Sequence, residues 1–319
     1  MDASFYFIGP VIGFIGMMSG GYWGIGCGWI VVPTMLILGC DPISAVGIGL
    51  LQMVPSTILT VARQAPQIGW RRNAPGFSLA IPIGAGAAIT SLCGKSINAK
   101  LIVLLGDARF LQWLLIIVIA AIIIQTLGSR TGCYQDEMPP IGAGKSRLAF
   151  VMGLATGLVS SMLGVGGGLL IRPLLTSGFK VPEYYTSRIV RLLVLVTTVT
   201  GGATYLIARG HFDWQVFSIS MLVAAGGVFG FPLGVKLHTV VYDHGYAQHI
   251  HKSFAVVAFA VLANTLLNLF GYAGPSRVLM LAIAAGLVLY LGLFTLHAQR
   301  NPKARKTGLK PECSGGSAG

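Results

Sequence analysis

The sequence predicts an all-α polytopic membrane protein made of two inverted repeats, each of about five helical segments, with short or glycine-broken helices and one extra C-terminal helix. Three observations predict this fold. The 319-residue chain is 54% hydrophobic and 10% charged, whereas soluble domains carry about 25% charged residues. Apolar runs long enough to cross a bilayer recur along the whole chain. One glycine-rich phrase occurs twice, inside apolar sequence both times.

The first repeat is predicted over residues 1–128. The only charge before its first apolar run is Asp2, so this run lacks the cationic start of a signal peptide and is assigned as a membrane helix. Asp41 precedes the third segment, where it is expected to cap the helix. The predicted segments, the second of them short, are Phe5–Met18, Trp29–Leu38, Ile43–Ala62, Pro75–Leu92 and Phe110–Leu127.

A polar connector is predicted over residues 129–147, and the second repeat over residues 148–271. Glu183 precedes its third segment as Asp41 does in the first repeat. An additional helix follows within residues 272–297, and the basic tail 298–319 is predicted to be disordered. The segments of the second repeat are Leu148–Met162, the short Leu169–Ser177, Tyr184–Ala208, Trp214–Leu237 and Ala247–Phe270.

The halves match beyond the glycine phrase. Paired features recur in the same order: Ala62-Arg63 and Ala208-Arg209, then Trp70 and Trp214, then Gly86-x7-Gly94 and Gly226-x7-Gly234. Each half contributes an odd number of crossings, so the two halves are expected to have opposite orientations in the membrane.

The net charge of +13 fits membrane topology better than nucleic-acid binding, because much of the excess lies in loops and in the tail. The tail cations favour a cytoplasmic C-terminus, which places the N-terminus outside. No cysteine and histidine cluster with metal-ligand spacing occurs, and no nucleophile–base, Walker or HExxH motif is present. We therefore expect no metal, no cofactor and no enzymatic activity.

The glycine phrases predict a transport site. Gly24–Gly28 is followed by Pro33, and Gly164–Gly168 by Pro173 at the same spacing. Glycine and proline disfavour a helix interior, and broken backbone at membrane depth is tolerated only where protein or a water-filled cavity covers it. Matched breaks in two halves indicate a binding site at the repeat interface. The unpaired N–H groups of the helices that follow suit an anion.

Polar side chains near these breaks are candidates to complete the site. Arg172 lies beside the second break, where a buried cation is costly and usually faces a cavity or a partner. Arg188 and Arg191 lie three residues apart on one helix, and the matching positions in the first half carry no charge. The predicted substrate-binding residues are Gly24, Gly26, Gly28, Gly164, Gly166, Gly167, Gly168, Arg172, Arg188, Arg191, Gln52 and Ser161.

The duplicated G-x-G-x-G-x4-P block and the long helices after it resemble the TauE/SafE (TSUP) sulfite exporter family, over about Phe5 to Phe270. This resemblance implies a transporter of sulfite or organosulfonates in a prokaryotic cytoplasmic membrane, exporting its anion by alternating access. Two alternatives stay open: an ion-coupled importer of organosulfonate or carboxylate anions, and a passive anion channel. The expected partners are a small anion and the lipid bilayer, without nucleic acid, and a homodimer is left open. Cys27 stands where the second copy has Gly167. This bulkier residue suggests that the second break contributes more than the first to substrate recognition.

Overall fold

The computed structural model describes residues 4–64, 68, 76–107, 109–128, 143–208, 211–244 and 246–300. Over these residues it is mainly helical, with short loops between the helices and a two-residue antiparallel pairing of Ile207–Ala208 with His211–Phe212. Short π-helical segments precede α5 and follow α9, at Gly76–Ala80 and Leu174–Gly178. The α-helices in chain order are α1 Ser4–Trp23, α2 Gly28–Ile37, α3 Pro42–Leu51, α4 Val54–Gln64, α5 Ile81–Ser91, α6 Gly94–Leu105, α7 Arg109–Gly128, α8 Ala143–Leu163, α9 Gly168–Pro173, α10 Glu183–Tyr205, α11 Trp214–Asp243, α12 Ala247–Leu269 and α13 Ala273–Arg300.

The described helices form an all-α polytopic membrane protein, as the composition predicted. Six spans are long and apolar enough to cross a membrane, and a seventh results if α5 and α6, bent by 43°, count as one span. The six spans are Pro42–Gln64, Arg109–Thr126, Gly144–Leu163, Trp214–Val241, Lys252–Leu269 and Ala273–Arg300.

Two predictions of helix extent need correction. The predicted segment Ile43–Ala62 lies within the single span Pro42–Gln64, as expected, but a turn at Gln52–Met53 divides it into α3 and α4. Pro55 is the second residue of α4, where its missing N–H is tolerated at a helix start but not in a helix interior. Helix α6 was not predicted, because its polar and charged residues weaken the apolar pattern of residues 94–105.

The expected helix caps differ between the halves. Asp41 accepts a hydrogen bond from the Ser44 backbone N–H at 3.1 Å and caps α3, as predicted. Helix α10 instead begins at Glu183 itself, with Pro182 at the capping position. Proline fixes an extended entry into the helix but offers no side-chain acceptor.

The structure describes part of the connector between the two halves and the whole of the helix that follows the second half. Helix α8 begins at Ala143, within the predicted connector, and α13 continues to Arg300, beyond the predicted end of the additional helix. The rest of the connector, residues 129–142, and the tail 301–319 lie outside the described residues, as do Trp70 and Arg209. The division into two repeats therefore stays a prediction.

The helices pair across the halves. Helix α1 packs along α11, α8 packs along α5, α10 packs on α3 and α4, and α7 packs on α12. Glycines allow the closest of these approaches: a Cβ placed on Gly226 of α11 would lie 1.8 Å from the Pro10 carbonyl oxygen of α1. Likewise, a Cβ on Gly86 of α5 would lie 2.4 Å from the Phe150 oxygen of α8. This packing brings the ends of α1 and α8, where the glycine phrases begin, into the protein interior.

Candidate functional site

Both glycine phrases form buried loops that each join a long helix to a short one. The first loop links α1 to α2 and the second links α8 to α9. Gly24 and Gly26 have φ angles of +68° and +86°, and Gly164 and Gly166 have φ angles of +72° and +77°. Side-chain-bearing residues rarely adopt these left-handed conformations, so glycine is needed at all four positions.

The two loops contact each other directly. A Cβ on Gly28 would lie 2.0 Å from the Gly164 carbonyl oxygen. Reciprocally, a Cβ on Gly168 would lie 2.4 Å from the Ile25 carbonyl oxygen. Each short helix therefore begins against the backbone of the other loop, at a separation that only glycine permits. Two motifs that lie far apart in sequence meet at one place in the interior.

Broken backbone at this depth still needs hydrogen-bond partners. The Trp29 indole Nε1 donates to the Gly26 carbonyl oxygen at 3.1 Å, and the Thr197 hydroxyl donates to the Gly166 oxygen at 2.9 Å. Neither capping residue, Cys27 of α2 or Gly167 of α9, makes a side-chain capping bond. One carbonyl group in each loop is thus bound by a side chain, while the starts of α2 and α9 lack a side-chain capping acceptor.

The two copies differ at their capping position. Cys27 has a φ of −120°, whereas Gly167 has a φ of +74°. The Cys27 Sγ accepts a hydrogen bond from Gln52 Nε2 at 2.7 Å and lies 3.0 Å from Met17 Sδ. A Cβ on Gly167 would meet the Ser160 hydroxyl oxygen at 3.4 Å. At this fourth position of the phrase, the left-handed φ requires glycine in the second copy, whereas the first copy has room for cysteine.

A small cavity lies beside the first loop. Gly24, Gly26, Thr57 and Arg191 line it, together with the apolar side chains of Met17, Met53, Val194 and Phe231. Its volume available to water is about 10 Å³, which is room for about one water molecule. Arg191 is the charged residue among those that line the cavity, and its guanidinium Nη1 is bonded to Gln64.

The three predicted arginines have different surroundings. Arg191 Nη1 donates to Gln64 Oε1, at the end of α4, at 2.7 Å. Arg172 Nη1 donates to the carbonyl oxygen of Trp23, the last residue of α1. Arg188 is half-buried, one helical turn before Arg191, and does not line the cavity. The structure therefore places Arg191 at the cavity and Arg172 on the end of a helix.

Gln52 and Ser161 also separate. Gln52 is fully buried beside Cys27, and its Oε1 has no hydrogen-bond partner among the described residues. Ser161 donates to the Leu158 oxygen, and a Cβ on Gly94 of α6 would lie 2.1 Å from its hydroxyl. Gln52 thus lies beside the first loop, whereas Ser161 lies against the start of α6.

Several residues near the cavity were not among the predicted site residues, including the apolar Met17, Val194 and Phe231. Met53 and Thr57 line it, and Gln64 binds the arginine that lines it. Thr57 and Gln64 are seven residues apart, a spacing that puts both on one face of a helix. That spacing was readable in the sequence, but the contact between Gln64 and Arg191 of α10 was not.

Comparisons with known proteins agree with this architecture. The family model described as "Sulfite exporter TauE/SafE" matches residues 9–265. A protein of Methanocaldococcus jannaschii named as a probable membrane transporter is 26% identical over 248 residues, which cover 72% of this chain and 84% of the relative. No solved structure is significantly similar to the chain. Because the matched region contains both glycine loops and α2 to α11, the chain belongs to the TauE/SafE sulfite exporter family, and it is a membrane transporter, not an enzyme.

Proposed function

We propose that this protein exports sulfite or a related organosulfonate as a secondary transporter, by alternating access between its two halves. One observation carries the proposal: the two glycine loops meet in the interior beside a cavity that Arg191 lines. The family is described as one of sulfite exporters, and we adopt this substrate class for the proposal.

The Arg191 guanidinium, bonded to Gln64 next to the cavity, is a group that suits a small oxyanion. A guanidinium carries a permanent positive charge and two parallel donors that match a pair of sulfonate or carboxylate oxygens. The starts of α2 and α9 add partial positive charge nearby. In a low-dielectric interior these interactions are stronger than in water, so they can replace part of the hydration shell of the anion.

The size of the cavity favours a carrier over a passive channel. With room for about one water molecule, it is smaller than a sulfite ion, and Arg191 is held by Gln64 at its border. An anion can therefore pass only if helices move, which is the behaviour of a carrier. An open channel would need a continuous path through this point.

Export is the direction that needs no additional ion. A membrane potential that is negative inside drives an anion outward with about 2.3 kcal/mol per charge per 100 mV. An importer would have to bind a coupling ion, and the cavity lining contains no carboxylate.

The test is radiolabelled sulfite transport in proteoliposomes. We expect saturable flux that rises when unlabelled sulfite is present on the opposite side, because a carrier returns faster when loaded. An inside-negative potential should accelerate efflux. Flux that neither saturates nor responds to sulfite on the opposite side would indicate a channel, and absence of flux with sulfite and organosulfonates would overturn the proposed substrate class.

A further inference from the structure

Helix α4 carries a polar face that leads away from the cavity. Thr57, Thr60 and Gln64 are spaced by three and four residues, so they share one side of the helix. Thr57 is 2% exposed, whereas Thr60 and Gln64 are half-buried. The face therefore runs from the buried cavity to the end of α4. On the opposite side, Ile58 and Leu59 are about half exposed, as expected for residues that face lipid.

Helix α4 packs on α10, which carries Arg191, and Gln64 of the polar face contacts that arginine. Arg191 contributes to the cavity lining at the level of Thr57, and its Nη1 reaches the Gln64 amide oxygen. Thr57 and Gln64 are separated by about 10 Å along the helix axis at 1.5 Å per residue. The arginine side chain thus bridges the cavity and the end of the polar face.

We propose that Gln64 is a positioning residue for the transported anion, and that the face Thr57–Thr60–Gln64 is its path between the cavity and one membrane surface. The inference rests on the proposed function. In the closed structure the Gln64 amide holds the Arg191 guanidinium across this path. When an anion arrives, its oxygens replace the amide oxygen as the acceptor of the Arg191 donors.

A neutral amide suits this role better than a carboxylate. A hydrogen bond from a cation to an amide is weaker than one to a charged acceptor, so an anionic substrate can displace it. A glutamate at this position would form an ion pair with Arg191 and compete with the substrate. The identity of residue 64 should therefore set the apparent affinity for the anion.

The experiment measures labelled sulfite flux in proteoliposomes for Gln64→Glu and for Gln64→Met, which keeps the volume but removes the amide. We expect the KM of Gln64→Glu to rise about tenfold, since hydrogen bonds to charged groups are worth about that factor, with a smaller change in kcat. Gln64→Met should raise the KM about threefold, because the guanidinium is less well placed. Ala62→Glu adds the same charge at an exposed neighbouring position and should leave the KM unchanged.

A double variant separates positioning from a general structural role. When Arg191→Ala is present, adding Gln64→Glu should not raise the KM further. Equal KM values for wild type, Gln64→Glu and Gln64→Met would overturn the role of Gln64 while leaving the proposed function intact. An equal rise for Gln64→Glu and Ala62→Glu would also overturn it. No sulfite or organosulfonate flux by the wild-type protein would overturn the proposed function and the role of Gln64 with it.

Discussion

At the scale of single residues, glycine is needed in the two loops for two separate reasons. Gly24 and Gly164 require it because their φ angles are left-handed. Gly28 requires it because the Gly164 carbonyl oxygen occupies the place of a Cβ. The sequence shows the glycines but not the reason for each, because a contact between two loops is a tertiary property.

Gly28→Ala tests the close approach of the loops. We expect loss of transport and a decrease of about 3 kcal/mol in the free energy of unfolding, because the loops must separate. Gly39→Ala is the control: Gly39 has a φ of +86° but nothing within 4 Å of its Cβ position, so it should lose about 1 kcal/mol to backbone strain and keep transport. Unfolding in detergent and flux in proteoliposomes measure both effects, and normal flux in Gly28→Ala would contradict the loop packing.

Arg172 and Arg191 were both predicted from the sequence to bind substrate, but we expect them to differ in thermal-shift measurements. Arg172→Ala removes a charged donor from the carbonyl end of α1 and should destabilise the empty protein by about 2 kcal/mol. Arg191→Ala should instead abolish the shift produced by sulfite. Arg109→Ala is the surface control, since its ion pair with Asp107 is 70% exposed on the arginine side and is worth less than about 1 kcal/mol. A sulfite shift that survives in Arg191→Ala would remove this arginine from the site.

At the scale of helices, stability depends on two glycine-lined pairs, α1 with α11 and α8 with α5. Without a hydrophobic driving force between helices in lipid, close backbone approach and van der Waals packing hold such pairs together. Gly230 and Gly234 of α11 would each place a Cβ within 2.2 Å of a carbonyl oxygen of α1, and Gly153 of α8 would place one 2.3 Å from the Ile83 oxygen of α5. The periodic glycines of these helices therefore allow helix packing, while the loop glycines allow the two loops to turn and to meet.

Gly226→Ala in α11 is the test of helix pairing. We expect a decrease in unfolding free energy of about 1–3 kcal/mol, because a methyl group would push α11 away from Pro10 of α1. Gly286→Ala in α13, where nothing lies within 4 Å, should stay within about 1 kcal/mol of wild type. Equal stability of the two variants in thermal unfolding would contradict the packing of α1 on α11.

At the scale of the whole molecule, the contacts between the halves are reciprocal. The first helix of each half pairs with the fourth span of the other, since α1 packs on α11 and α8 packs on α5. The glycine loops meet each other, α10 packs on α3 and α4, and α7 packs on α12. An internal two-fold relation would generate this pattern, which supports the proposal of two repeats. Their opposite orientation in the membrane stays a prediction.

Reporter fusions test that orientation. We expect a reporter inserted within residues 129–142 and one fused after Arg300 to be cytoplasmic, and one inserted at Tyr272, between α12 and α13, to be external. The reason is that each half with an odd number of crossings ends on the side opposite to its start. A fluorescent protein active only in the cytoplasm and a phosphatase active only outside provide complementary readouts. The same side for residues 129–142 and Tyr272 would contradict inverted repeats.

The sequence by itself determined the membrane class, the family and the positions of both backbone breaks, because apolar length and glycine spacing are local properties of the chain. It also indicated most helices, and missed α6 and the break between α3 and α4. Only the tertiary structure decided which candidates lie together: Gly24, Gly26 and Arg191 line the cavity, Arg172 binds the end of α1, and Ser161 faces α6. The physical reason is that the partner of a side chain depends on how helices distant in sequence cross. The number of residues between the two breaks does not predict whether they are in contact.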